Sequence, residues 1–181
     1  MIKFLDILKE SDDNIFIPRG SKEEKDKVLI RRTNDKIQEY IRNGFKGDLD
    51  LRNSPIQFLP RNLTKVGGSL ILFYSQIEKL PDNLTVNRGL DLAKCENLKS
   101  LPDNLIVNGY LDLEKCKNLE SLPNGLKVKG FLDLRDTNIT SLPSDLKVED
   151  NLILYRTPIA NRYTKEQIRE MAPGVTGMIK L

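Results

Sequence analysis

The sequence predicts an α/β solenoid in which short repeats, each with one strand, stack into a parallel sheet. A Leu-x-Leu motif recurs six times at steps of 20 or 21 residues, and a Leu-Pro pair follows it in five of the repeats. Alternating leucines are typical of a strand with one buried face, and a fixed short period is typical of stacked repeats. The motifs are Leu49/Leu51, Leu70/Leu72, Leu90/Leu92, Leu111/Leu113, Leu132/Leu134 and Leu152/Leu154.

The return path of each repeat is predicted to be extended. A unit of 20 or 21 residues is too short to hold a strand, two turns and a full helix, and proline pushes the leucine before it towards an extended conformation. No repeat can bury its own leucines, so the whole stack is expected to fold as one unit. The residues that precede the next leucine tolerate a left-handed turn: Asn62, Asn83, Asn104, Gly125 and Asp145.

A column of small hydrogen-bonding side chains follows the second leucine of each motif by three residues. Such side chains can bond backbone groups that leave the strand ladder at a turn. Cys95 and Cys116 belong to this column, so we expect two free, buried thiols in a reducing compartment. The chain has no histidine to activate either thiol as a nucleophile. The column is Ser54, Ser75, Cys95, Cys116, Thr137 and Thr157.

Both ends of the stack are expected to carry caps, because terminal leucines would otherwise be exposed. Residues 14–46 are the predicted helical N-terminal cap. Glu24 follows Ser21 by three residues, which is a capping box that begins a helix. Asn43-Gly44 ends this helix, and residues 33–35 could divide it in two. Residues 14–17, before a proline, fit a strand that extends the sheet.

The repeats are assigned to residues 47–159 and a helix-strand C-terminal cap to residues 160–181. Thr164 and Gln167 form a second capping box, which opens a helix to about Met171. Three apolar residues then repeat the spacing of the earlier strands and predict a final strand with its last two members buried: Val175, Ile179 and Leu181.

This pattern resembles the leucine-rich-repeat family, whose core consensus is L-x-x-L-x-L-x-x-N/C-x-L. The likeness covers residues 47–159 and departs from the family at two positions. The first consensus leucine is replaced by Val or Phe one position earlier, and the consensus Asn is Ser, Cys or Thr. The L-P-x-N-L segment is similar to that of the short bacterial (Leu-Pro) class. The resemblance implies a parallel sheet on the concave side, an extended convex side and a binding scaffold.

Residues 1–13 stand apart as an N-terminal peptide, with Asp12-Asp13 at its boundary. They resemble the openings of many proteins encoded by large tailed bacteriophages. The whole layout is also similar to leucine-rich-repeat proteins of such phages. The resemblance implies a viral protein in the cytoplasm of a bacterial host. In it, residues 1–13 either pack on the N-terminal cap or direct the chain to an assembly such as the virion.

The composition disfavours several classes of function. Lys and Arg total 29 and Asp and Glu total 26, and a net charge of +3 is too balanced for a dedicated nucleic-acid binder. The absence of histidine removes the commonest general base and metal ligand. No apolar stretch approaches the roughly 20 residues of a membrane span. We therefore expect a non-enzymatic, cytoplasmic monomer with no cofactor, metal, nucleic-acid or membrane partner.

The candidate site is an acidic strip rimmed by aromatic residues on the concave face. Asp91, Asp112 and Asp133 hold equivalent positions in successive strands, so we expect neighbouring carboxylates about 5 Å apart. Carboxylates attract Lys and Arg, and aromatic rings supply contact area, which favours a basic or helical protein segment as partner. The candidate partner-binding residues are Phe73, Asp91, Tyr110, Asp112, Phe131, Asp133, Arg135 and Tyr155.

Two alternatives stay open. Leu-Asp-Leu could be the consensus of an ancestral repeat that was copied without selection for binding. The chain could also be an accessory or virion-associated structural protein of a phage. Carboxylates on an open sheet face, with no pocket and no loop of converging oxygen ligands, favour neither acid–base catalysis nor a cation site.

Overall fold

The computed structural model describes residues 20–181, which form a solenoid of parallel strands with about five turns. Equivalent strands are about 21 residues apart in the sequence, as the repeat predicts. The stacked-repeat fold expected from the sequence is therefore confirmed. The N-terminal peptide 1–13 and the strand expected at residues 14–17 lie outside the described residues.

The Leu-x-Leu motifs form a seven-stranded parallel sheet in which each repeat adds one short strand. The motifs lie side by side in register, so that Leu90 pairs with Leu111 and Leu111 with Leu132. The strands, in their order across the sheet, are β1 (Leu49–Asp50), β3 (Leu70–Ile71), β5 (Leu90–Asp91), β7 (Leu111–Asp112), β9 (Leu132–Asp133), β11 (Leu152–Ile153) and β12 (Ile179–Lys180).

A second parallel sheet, of five strands, was not expected from the sequence. It is built from the valine that precedes each Leu-x-Leu motif by four residues, and Val86 pairs with Val107 and Val107 with Val128. Because the coils stack in register, these short segments also reach hydrogen-bonding distance of their neighbours. The strands are β2 (Lys65–Val66), β4 (Thr85–Val86), β6 (Ile106–Val107), β8 (Lys127–Val128) and β10 (Lys147–Val148).

The core is a continuous column of leucine, isoleucine and valine side chains from successive coils. Leu90, Leu92, Leu111 and Leu113 are completely buried. Full burial of each such side chain contributes about 1.5–3 kcal/mol. Each leucine is covered by the coils above and below it, so the stability belongs to the stack and not to any single repeat.

The small polar column lines the turn that follows each strand, and its buried side chains bond to backbone carbonyls there. The Cys95 thiol donates to the Leu72 carbonyl (3.0 Å) and the Cys116 thiol to the Leu92 carbonyl (3.2 Å), each in the preceding coil. The Thr137 hydroxyl donates to a carbonyl of its own coil. Both cysteines are free and buried, as predicted, and burial raises the pKa of both thiols.

The Leu-Pro return paths contain neither helix nor regular strand, apart from isolated bridges such as Phe58 with Lys79. Left-handed backbone occurs at Asn83, Asn104 and Gly125, where the sequence predicts it. A second left-handed column was missed, and it immediately precedes the small polar side chains, where the chain leaves the strand. Its members are Asn53, Tyr74, Lys94, Lys115, Asp136 and Arg156.

The N-terminal cap is one uninterrupted helix, α1 (Lys22–Arg42), which begins at the predicted capping box. The division expected at residues 33–35 does not occur. Thr33 instead accepts a hydrogen bond from the Ser54 hydroxyl, which ties the middle of the helix to the first coil. Ile37 and Tyr40 are buried against that coil, and the Tyr40 hydroxyl accepts a hydrogen bond from the Gly67 amide.

The C-terminal cap contains two helices, α2 (Pro158–Arg162) and α3 (Lys165–Met171), before β12. Helix α3 begins at the predicted capping box, whereas α2 was not predicted and crosses the assigned boundary at residue 159. Thr157, the last member of the small polar column, caps α2, and Pro158 occupies its first turn. No helix within residues 20–181 is long and apolar enough to cross a membrane.

The predicted last strand is present. Val175 pairs with Val148, and Ile179 pairs with Leu152. Ile179 is buried as expected, but Leu181 is only half-buried because no further coil covers it.

We predict that Ile179→Ala lowers the free energy of unfolding by about 2–5 kcal/mol, because it opens a cavity in the covered end of the core. Met178→Ala is the matched control, since the Met178 side chain is 62% exposed. It should change stability by no more than about 0.5 kcal/mol. Urea denaturation monitored by circular dichroism measures both values. Equal losses in the two variants would contradict the burial of the last strand.

Candidate binding surface

The outward face of the seven-stranded sheet carries a central column of side chains, one from each strand between its two buried positions. The register places Asp91 beside Asp112 and Asp112 beside Asp133. Neighbouring strands lie about 4.8 Å apart, so the three carboxylates form the contiguous row that the sequence predicts. The full column is Asp50, Ile71, Asp91, Asp112, Asp133, Ile153 and Lys180.

Each aspartate of the central column also performs a local structural task. One carboxylate oxygen accepts a hydrogen bond from the backbone N–H two residues later, where the strand ends. This bond satisfies a donor at the strand end and gives a structural reason for the repeated Leu-Asp-Leu motif. The donors are Arg52 to Asp50 (3.1 Å), Ala93 to Asp91 (3.1 Å), Glu114 to Asp112 (2.9 Å) and Arg135 to Asp133 (3.0 Å).

Two of the four carboxylates are neutralised by an arginine of their own strand. Asp50 pairs with Arg52 at 2.8 Å, and Asp133 pairs with Arg135 at 2.7 Å. Burial works against ionisation of Asp50, but the hydrogen bonds and charge of Arg52 outweigh it and lower the pKa of Asp50. Asp133 is only 2% exposed, so its carboxylate serves Arg135 and is withdrawn from solvent. Arg135 also bonds Glu114 at 3.0 Å.

Asp91 and Asp112 have no such partner: no lysine or arginine within residues 20–181 forms an ion pair with either. Burial raises the pKa of Asp112 to about 6, and the neighbouring charges of Asp133, Asp91 and Glu114 add to the effect. Burial, and then the charge of Asp50, also raises the pKa of Asp91. These two carboxylates form the part of the column where a cation from another molecule would gain most.

A stacked aromatic pair lies beside these carboxylates. The rings of Tyr110 and Phe131 are 5.2 Å apart at their centroids and inclined by only 8°. Each residue precedes a column aspartate by two positions, on the same side of the column. The Tyr110 ring lies directly on Gly89, where any side chain would collide with it. Burial, with the charges of Asp91 and Asp112, raises the pKa of the Tyr110 phenol.

The other two predicted aromatic residues lie on the opposite side of the column. Phe73 and Tyr155 each follow a column residue by two positions. The Lys94 ammonium lies 5.1 Å from the centre of the Phe73 ring, a cation–π contact within this chain. Tyr155 is 39% exposed. Four predicted residues therefore form one compact patch, which we call the central patch: Asp91, Tyr110, Asp112 and Phe131.

Arg52, Glu114 and Lys94 shape this surface and were absent from the sequence prediction. The signal for Arg52 was present in the sequence. Asp-Leu-Arg occurs at residues 50–52 and again at residues 133–135, and an i, i+2 pair points to the same side of a strand. In the described part of the chain, no group of acidic or cysteine side chains has an arrangement that could hold a metal ion.

The raised pKa of Asp112 predicts a stability that falls as pH rises. Because its pKa moves from 3.8 to about 6 on folding, the folded chain binds more protons than the unfolded chain between these values. This contribution is fully present below about pH 4 and is lost above about pH 6. With allowance for its partial exposure, the loss is about 1–2 kcal/mol. Asp112→Asn should remove this loss and raise stability at neutral pH.

Denaturant unfolding at several pH values measures the effect, with Asp50→Asn as control. Asp50 is paired with Arg52 and its pKa is lowered, so this variant should gain no stability at neutral pH. An Asp112→Asn variant with the same pH dependence as the parent would show that Asp112 ionises as freely as an exposed aspartate.

Comparison with known proteins finds no match: no family model, no curated protein and no solved structure matches this chain. The description of the chain as a repeat solenoid rests on its own strand register and repeat period.

Proposed function

We propose that this chain is a non-enzymatic protein-binding scaffold, with six leucine-rich repeats of the short bacterial Leu-Pro type. In this proposal the seven-stranded sheet is the concave face of the solenoid and the Leu-Pro segments are its convex side. The partner is a protein with a basic or helical segment that lies on the sheet. The chain itself is a monomer encoded by a phage and acts on a host protein.

The observation that carries the proposal is a pair of carboxylates without internal cations beside a stacked aromatic pair. Asp91 and Asp112 lie on adjacent strands, and the rings of Tyr110 and Phe131 flank them. A lysine or arginine side chain placed here would bring its charge to the carboxylates and its apolar stem to the rings. Both contacts remove partly buried surface from water, where charge pairs are worth most.

The arginines at either end of the acidic strip limit what can bind. Arg52 and Arg135 are already paired with column aspartates, and each would repel further positive charge on a ligand. Only the two positions of Asp91 and Asp112 remain attractive to cations. This arrangement favours a segment with one or two basic residues among apolar ones over a long basic run.

The binding test uses two synthetic peptides as probes, because the partner is defined here by its chemistry. One is a helical peptide of alanine and leucine with two lysines one turn apart, and the other has glutamates in place of the lysines. We predict that the lysine peptide binds by isothermal titration calorimetry and that the glutamate peptide does not. Affinity should rise as pH increases through about 6, because ionised Asp112 is the attractive form.

Variants of the central patch should weaken this binding, whereas matched changes elsewhere should not. Asp112→Asn removes one carboxylate charge and is matched by Glu120→Gln, at an exposed position of a return path. Phe131→Ala is matched by Phe58→Ala, whose ring is 58% exposed. Loss of an anchoring ring should cost more than about 1 kcal/mol of binding. If the matched variants weaken binding and the patch variants do not, the binding surface lies elsewhere.

The expected location and the structural alternative share one experiment. A scaffold that acts on a host protein belongs in the host cytoplasm and is left behind when virions are purified. An accessory virion component would instead appear in purified particles in fixed proportion to the major virion proteins. Quantitative mass spectrometry of purified virions and infected-cell lysate separates the two outcomes, and we predict that the chain is in the lysate.

A further inference from the structure

The C-terminal end of the stack is a place where the strand ladder stops although its backbone could continue it. In the five-stranded sheet each coil donates N–H groups to carbonyls of the coil before. The Glu149 N–H bonds the Val128 carbonyl at 3.0 Å, and the Thr176 N–H bonds the Val148 carbonyl at 2.9 Å. Val175 takes the place of Val148 in the next coil. The Val175 carbonyl is therefore the acceptor that a further coil would use.

A second carbonyl at this end is in the same position. The Gly130 N–H donates to the Gly109 carbonyl of the preceding coil at 2.9 Å. Gly109 follows its strand valine, Val107, by two residues, as Gly177 follows Val175. The Gly177 carbonyl is thus also an acceptor that faces the position of a coil that does not exist.

The side chain of Arg169 occupies both acceptors. Its Nη1 donates to the Val175 carbonyl at 2.6 Å, and its Nη2 donates to the Gly177 carbonyl at 2.8 Å. A guanidinium group can do this because its donors form a rigid planar fork. Arg169 is held in place by α3, whose Ile168 is completely buried in the core.

We propose that Arg169 stands in for the absent coil and closes this end of the stack to strand addition by a second copy of the chain. Unpaired strand edges are templates for pairing with another chain. The opposite end of the stack is covered by α1, with Ile37 and Tyr40 buried beneath it. A second copy would therefore add through its own C-terminal end. Such pairing is two-fold symmetric, joins β12 to β12 and stops at a dimer.

The test compares three substitutions by light scattering coupled to size-exclusion chromatography, over a wide range of protein concentration. Arg169→Met keeps the apolar stem but removes both donors, whereas Arg169→Lys keeps a cationic donor. Arg162→Met is the control, an exposed arginine of the neighbouring helix α2. We expect the parent, R169K and R162M to run at the monomer mass of 20.7 kDa. R169M should approach twice that mass as concentration rises.

Hydrogen exchange then locates the contact, because the R169M dimer should protect the amides of β12 relative to its own monomer. The proposal is overturned if R169M stays monomeric, if R162M or the parent dimerises to the same extent, or if the protected amides lie outside β12. Should R169M lose its circular dichroism signal, Arg169→Gln, which keeps a single amide donor group, replaces it under the same criteria.

Discussion

Every feature of this molecule depends on the burial of leucines between neighbouring coils. A repeat of 20 or 21 residues has no interior of its own, so the side chains of Leu90 or Leu111 leave water only when coils lie on both sides. This constraint fixes the register of the strands, since a shift by one residue would turn every leucine outward. It also fixes the position of each outward residue between two leucines. The central column of aspartates is thus a by-product of the core, placed with the precision of the core.

The same constraint explains why both ends carry special structure. At the N-terminus, α1 covers the first coil, and the Tyr40 hydroxyl takes up the Gly67 amide that no earlier coil can satisfy. At the C-terminus, α3 supplies Arg169 to two carbonyls that no later coil can satisfy. The caps therefore do two separate jobs: they cover apolar side chains, and they complete the hydrogen bonds of a ladder that has been cut.

The parts of the fold that the sequence predicted are those set by spacing along the chain. The Leu-x-Leu strands, the capping boxes at Ser21 and Thr164 and the final strand at Ile179 all follow from periodicity or local signals. The second sheet was missed because strands of two residues, such as Lys65–Val66, leave no alternation to detect. The left-handed residues that include Tyr74 and Lys94 were missed because their side chains are unusual there. The stack itself holds their backbone in that conformation.

The candidate surface was predicted in part for a related reason. The alignment of Asp91, Asp112 and Asp133 follows from the repeat, but their different states do not. Whether a carboxylate is neutralised depends on the residue two positions later, which is Ala93, Glu114 or Arg135. Whether it is buried depends on the neighbours in the next coils. Asp133, with Arg135 beside it, is consequently a structural ion pair, whereas Asp112 keeps a charge that its surroundings oppose.

The strands are so short that the sheet is longer across its strands than along them, and this gives the outward face a periodicity of its own. Outward side chains recur about every 4.8 Å along the stack, whereas the turns of an α-helix recur every 5.4 Å. A helix laid along the stack would meet successive coils with successive turns and lose only about 0.6 Å of alignment at each step. It would stay within half a turn of register for about four coils, so the face works as a ruler for one helix turn per repeat.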